Sequence, residues 1–132
     1  MHLHAEQSFL LETAERFIKH SVSECGTFPM FALALQKDGN LTPVQVEEFQ
    51  DTQSALGGVL EALLPLAVEG QIVGCIICTP MPPEKHQIAV YDIDHHSGGR
   101  VLAVQSYKKK LFGGWAFGEK EFKEDASRLF VS

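Results

Sequence analysis

The sequence predicts a two-layer α+β fold in which two helices cover one face of a mainly antiparallel sheet of about five strands. Three observations support this class. Two segments place apolar residues at helical spacing, five shorter segments have strand character, and short turn sequences join most neighbouring strands. Short hairpin turns connect antiparallel neighbours, whereas parallel strands need long crossovers. The predicted order is α-β-β-α-β-β-β followed by an irregular tail, in a single domain spanning residues 1–132.

The first helix is expected between residues 5 and 23, where apolar side chains recur every three or four positions and charged side chains occupy the other faces. Two strands should follow, at residues 30–36 and 41–46. The pair Asp38-Gly39 lies between them and suits a tight hairpin turn. Pro43 cannot donate a ladder hydrogen bond, so the second of these strands is expected at an edge of the sheet.

The second half of the chain is predicted to supply the centre of the sheet. A helical stripe covers residues 50–69, with Pro65 expected to kink it or end it early. Residues 72–79 are apolar at both odd and even positions, which is typical of a central strand buried on both faces. Strands at 86–94 and 100–107 follow. The face that the helices leave open is then expected to be covered by the tail or by a second chain.

The register of the last hairpin decides which side chains share a face. A turn centred between Ser97 and Gly98 predicts that Tyr91 shares a face with Leu102, and that Asp92 shares the other face with Ala103. A shift of one residue would exchange these faces.

Composition excludes several classes of function. The formal net charge is −6, and residues 1–70 hold ten acidic and three basic side chains. Because cationic side chains supply most non-specific affinity for nucleic acids, no nucleic-acid partner is expected. The sequence shows neither a signal peptide nor the roughly 18 consecutive apolar residues of a membrane helix. We therefore expect a cytoplasmic protein without a membrane partner, in which the three cysteines stay reduced.

One short motif could indicate a metal site. Asp94-His95-His96 resembles the signature of the DHH phosphoesterases, in which aspartates and histidines hold paired metal ions that activate water. Turn chemistry explains the triplet better, because it falls in a predicted hairpin turn and a metal needs three or four convergent ligands. If a metal is bound, the candidate ligands are Asp92, Asp94, His95 and His96.

Other chemical motifs are absent from the sequence. Cys75 and Cys78 match C-x-x-C, but three residues apart in a strand they should lie on opposite faces as buried thiols. The chain shows no nucleophile with a base and no phosphate-binding loop before a helix. We predict no catalytic residue and no cofactor.

The most unusual segment runs from Lys108 to Gly118 and combines three lysines, three aromatic residues and three glycines. It is either a binding loop, with lysines for an anionic group and aromatics for stacking or a protein contact, or a flap that covers the core. The candidate partner-binding residues are Lys108, Lys109, Lys110, Phe112, Trp115 and Phe117.

The run from Glu24 to Phe31, the turn Lys37-Asp38-Gly39 and a hairpin ending in Tyr107 resemble small bacterial proteins of uncharacterised function, some of them immunity or accessory proteins. This resemblance implies an α+β fold and carries no functional residues. The leading hypothesis is a non-enzymatic protein-interaction module that binds another protein or a second copy as a homodimer. The alternative is a small-molecule binder or metal-dependent hydrolase around the four candidate metal ligands, with the small molecule unidentified.

Overall fold

The computed structural model describes residues 2–46, 51–81 and 87–130. The α+β class and the predicted element order are confirmed, but the sheet has seven strands in the described residues because the tail adds two. Residue 50 of the predicted second helix and residue 86 of the predicted fourth strand lie outside this range. The elements are α1 (Ala5–Cys25), β1 (Phe31–Gln36), β2 (Leu41–Val44), α2 (Thr52–Val68), β3 (Ile72–Met81), β4 (Ile88–His95), β5 (Gly99–Lys109), β6 (Trp115–Phe117) and β7 (Glu121–Asp125).

The sheet is antiparallel at every pairing, in the order β2-β1-β3-β4-β5. The outer side of β5 is shared by two short strands. Residues 107–109 of β5 pair with β6, and residues 100–104 pair with β7. Strand β2 lies at the opposite edge, as Pro43 predicts.

Local sequence explains where the helices begin and end. His4 accepts a hydrogen bond from the Glu6 amide at the start of α1, and Gly26 ends this helix with a left-handed φ of 78°. The Asp51 carboxylate accepts a bond from the Ser54 amide at the start of α2. Pro65 does not end α2, which continues to Val68.

The two helices lie on opposite faces of the sheet, and this corrects the expectation that they share one. Along β3, Ile76 and Cys78 pack with α1, whereas Cys75 and Ile77 pack with α2. Because successive side chains of a strand alternate between faces, a strand buried on both sides needs a cover on each. We name the two sides of the sheet the α1 face and the α2 face.

The last hairpin differs from its expected register by one residue. His95 pairs with Gly99, so the turn is centred on Ser97 and Tyr91 lies opposite Ala103. Asp92 consequently lies opposite Leu102, on the α2 face.

Helix α2 and the residues after β7, 126–130, which we name the C-terminal segment, cover only part of the α2 face. Leu129 packs beside α2, over the β1 and β3 side of the sheet. Four aliphatic side chains of β4 and β5 on the same face stay partly exposed. We name this group the open patch, and it consists of Ile88, Val90, Leu102 and Val104. Within the described ranges, neither helix combines the length and apolar character that crossing a membrane requires.

Candidate functional site

The turn between β5 and β6 presents two large apolar side chains to solvent. Leu111 is 89% exposed and Phe112 is 97% exposed. Gly113 and Gly114 follow with φ of 90° and 76°, values that favour glycine, and the Lys110 amide donates to the Gly114 carbonyl at 3.0 Å. The turn therefore holds Leu111 and Phe112 outward. We name residues 108–114 the hairpin tip.

The charge of the hairpin tip is opposite to that of the whole chain. Lys108, Lys109 and Lys110 are all exposed, and no carboxylate side chain occurs between Asp94 and Glu119. Exposed charges are screened beyond about 8 Å at physiological salt, so a partner at the tip senses these lysines more than charges farther away. The tip is thus a cationic surface with an apolar apex.

The base of the hairpin packs into the core. The rings of Trp115 and Phe117 lie 6.0 and 5.4 Å from that of Tyr107, measured between centroids. Tyr107 is 5% exposed and also contacts Phe28. The ammonium group of Lys19 on α1 lies 5.4 Å from the centre of the Phe117 ring. Trp115 and Phe117 therefore cover the core as half-buried side chains, whereas the residues of the hairpin tip are exposed.

Sequence reasoning did not include Leu111 among the binding candidates, although it is nearly as exposed as its neighbour Phe112. The signal was its position between a lysine run and a Gly-Gly pair. A glycine pair with positive φ turns the chain sharply, so the residues just before it occupy the apex of the turn.

The two aspartates of the candidate metal site are engaged with other side chains on the α2 face. Asp92 accepts bonds from Arg100 Nε and Nη2 at 2.9 and 3.0 Å, and also pairs with Arg128. Asp94 is 3% exposed and accepts bonds from Ser127 Oγ and from the amides of Arg128 and Leu129, at 2.6, 2.9 and 3.1 Å. These carboxylates hold the C-terminal segment on the sheet.

The histidines of the candidate metal site lie elsewhere. His95 is buried on the α1 face, with its Nε2 atom 2.8 Å from Glu6 Oε1. Its Nδ1 accepts hydrogen bonds from the amides of Ser97 and Gly98. Burial lowers the pKa of His95, and the hydrogen bond to Glu6 opposes this effect. His96 is exposed in the turn. The structure does not bring the four candidate ligands together.

A different set of metal-ligating groups does converge, namely His4, Glu6 and His95, whose ligand atoms lie within 4.8 Å of one another. Both imidazoles accept backbone hydrogen bonds at Nδ1, so each neutral ring carries its proton on Nε2. A protonated Nε2 has no lone pair for a metal. The hydrogen bonds of His4, Glu6 and His95 therefore fit a polar junction between α1 and the β4–β5 turn better than a metal site.

The two strand cysteines are enclosed on opposite faces, as predicted. Cys75 lies under α2 and Cys78 under α1. Burial, with smaller contributions from Asp94 and Asp92, raises the pKa of Cys75 to about 12. Burial likewise raises the pKa of Cys78. Both therefore stay as unreactive thiols near neutral pH, while Cys25 is exposed.

Comparison with protein-family models, with curated proteins and with solved structures finds no match to this chain. Any functional proposal therefore rests on the geometry of the chain itself.

Proposed function

We propose that this protein is a non-enzymatic protein-interaction module and that the hairpin tip is its contact element. The observation that carries the proposal is the exposure of Leu111 and Phe112 at the apex of a well-anchored hairpin. Scattered exposed apolar residues are normal, but two large ones side by side at the end of a projecting turn form a compact apolar knob.

The hairpin is suited to binding because its base is rigidly packed. Lys108 and Lys109 are paired with β6, and Trp115 packs against Tyr107. Because the tip is already ordered, its binding to a partner should cost little conformational entropy. Buried aromatic side chains are the commonest anchors of protein interfaces, so Phe112 is the expected anchor.

The charge of the tip indicates the partner's surface. Three lysines beside an apolar apex complement an apolar pocket whose rim carries carboxylates, and this complementarity would speed association. An immunity or inhibitor protein directed at a basic target would instead use the acidic surface of residues 1–70. The tip supports the broader role of an interaction module with an acidic partner.

The alternative function requires convergence of its site residues. A metal-dependent hydrolase or small-molecule site around Asp92, Asp94, His95 and His96 would need these side chains to face a common space. The aspartates bind the C-terminal segment on the α2 face, and His95 is buried on the α1 face. The interaction module therefore has the better geometric support.

The proposal is tested by affinity capture from native lysate, using a variant that combines Leu111→Ser and Phe112→Ser. Both residues are solvent-exposed, so the fold should be unaffected. We expect one stoichiometric protein on the wild-type chain and its loss from the variant. In direct titration with that protein, affinity should fall about 30-fold, equivalent to ~2 kcal/mol.

A matched control combines Leu64→Ser with Val68→Ser, which removes two exposed apolar side chains from α2 instead. This control should bind as the wild type does. Equal capture by the tip variant would contradict the proposal. Tip-dependent binding to phosphatidylserine vesicles without any protein partner would replace the protein with a lipid surface.

We also propose that the open patch pairs two copies of the chain in solution. Its four partly exposed aliphatic side chains lie side by side on one sheet face, where a second sheet could cover them. Sedimentation equilibrium should show a dimer that Val104→Lys converts to a monomer, because burying a lysine against an apolar surface is costly. A monomeric wild-type protein would refute the pairing.

A further inference from the structure

The first turn of α1 is fastened to the β4–β5 turn by a set of buried polar contacts. Gln7 is 1% exposed and donates from Nε2 to the carbonyls of Gly98 and Gly99, at 3.2 and 3.1 Å. His95, also 1% exposed, bonds to Glu6 through Nε2. A Cβ added at Gly98 would lie 2.7 Å from the Gln7 side chain, so the turn closely contacts the helix.

The hydrogen bonds of His95 determine where its next proton must go. The Ser97 and Gly98 amides donate to Nδ1 at 3.2 and 2.9 Å, so this nitrogen carries no proton. The single proton of the neutral ring is on Nε2, where it is donated to Glu6. A second proton can only attach to Nδ1, and two amide donors already point at that atom. The charged ring is therefore incompatible with the observed turn.

We infer that His95 is a pH-dependent conformational switch. Protonation of Nδ1 breaks its two amide hydrogen bonds, opens the β4–β5 turn and releases the first turn of α1 from that turn. The inference is independent of the interaction role proposed above. It assigns a pH-dependent conformational change to a junction at the opposite end of β5 from the hairpin tip.

Burial sets the direction of this response by lowering the pKa of His95, and the neighbouring groups modify it. The rings of His4 and His96 lie 4.3 and 4.7 Å from that of His95, between centroids, and both oppose a positive charge there. The Glu6 carboxylate favours it. Behind the ring, β3 contributes Gly74, where an added Cβ would lie 3.1 Å from His95 Cδ2. The His95 ring therefore has little space in which to rotate away from its hydrogen-bond partners.

The effect on stability follows from the difference in protonation between the two states. The folded state binds the proton at a lower pH than an unfolded histidine, whose pKa is about 6.5. The stabilisation of the folded state by neutral His95 is therefore complete above about pH 6.5 and is lost as pH falls below that value. Where only the unfolded chain is protonated at this position, the unfolding equilibrium constant rises by up to about tenfold per pH unit.

The test compares the full-length chain with His95→Asn. The Oδ1 atom of asparagine sits close to the place of Nδ1 and accepts the same two amides, but does not titrate. Between pH 7.5 and 5, unfolding of the wild type should become more pH-dependent than that of the variant by about one proton. His20→Asn, which removes an exposed histidine from α1, should leave the wild-type slope unchanged.

A second measurement does not depend on the folding of any variant. In the wild type, nuclear magnetic resonance should show that the Ser97 and Gly98 amides lose hydrogen-exchange protection as the His95 ring becomes protonated. The switch would be refuted if the free energy of unfolding had the same pH dependence in the wild type and in His95→Asn. It would also be refuted if the two amides stayed protected while His95 is charged.

Discussion

Asp94→Ala is expected to lower the free energy of unfolding by about 3–5 kcal/mol, because it removes the buried carboxylate that holds the C-terminal segment. Three donors lose their acceptor, namely Ser127 Oγ and the amides of Arg128 and Leu129. Leu129, which belongs to the core under α2, should then leave its site. Denaturant unfolding followed by circular dichroism measures the change.

Thiol labelling makes this prediction specific to one face of the sheet. In the native protein, Cys25 is exposed and should react rapidly, whereas Cys75 and Cys78 should not. Loss of the C-terminal segment should expose Cys75, which shares a core with Leu129, and leave Cys78 protected under α1. Asp125→Ala, on the exposed strand β7, should change neither result. Unaltered stability and labelling in Asp94→Ala would show that the segment is held by other contacts.

Tyr107→Ala should cost about 3 kcal/mol of unfolding free energy, because a buried aromatic ring is replaced by a cavity. The lost ring contacts Phe28, Trp115 and Phe117 together. Its loss should loosen the β5–β6 hairpin and weaken partner binding, although every tip residue is intact. Denaturant unfolding and titration with the captured partner give the two readouts.

Tyr107→Phe is the matched control, since it keeps the ring and should preserve both stability and partner binding. Unchanged partner affinity in Tyr107→Ala, under conditions where the variant is folded, would show that the tip does not need its aromatic base. Such a result would separate the stability role of this cluster from the interaction role of Leu111 and Phe112.

The sequence predicted the elements well because their signals are local. The amphipathic stripe of α1, the Asp38-Gly39 turn and Pro43 at the edge of β2 each depend on a few neighbouring residues. The placement of α2 was predicted wrongly, since an apolar stripe identifies the buried side of a helix without indicating which sheet face it covers. The doubly buried pattern of β3 contained the information, because two covered faces need two covers.

One residue of register decides which β5 side chains lie opposite the candidate metal ligands of β4, although strand alternation alone places Asp94 and His95 on opposite faces. The turn between β4 and β5 could be centred at Ser97 or between Ser97 and Gly98, and the two choices place different side chains of β5 opposite Asp92. The contact between this turn and Gln7 could not be predicted either, because Gln7 is distant in sequence.

The outer strands of the sheet are poor templates for a further strand: β2 lies on one side, and the other side holds β7 and β6, which has only three residues. Strand β2 has four residues and contains Pro43, and β7 is exposed throughout with charges at four of its five positions. An incoming strand would meet a missing donor on one side and a row of charges on the other, so fibril-like stacking of native molecules is disfavoured. The folded protein should therefore resist edge-to-edge aggregation at high concentration, which leaves side chains rather than backbone to select its partners.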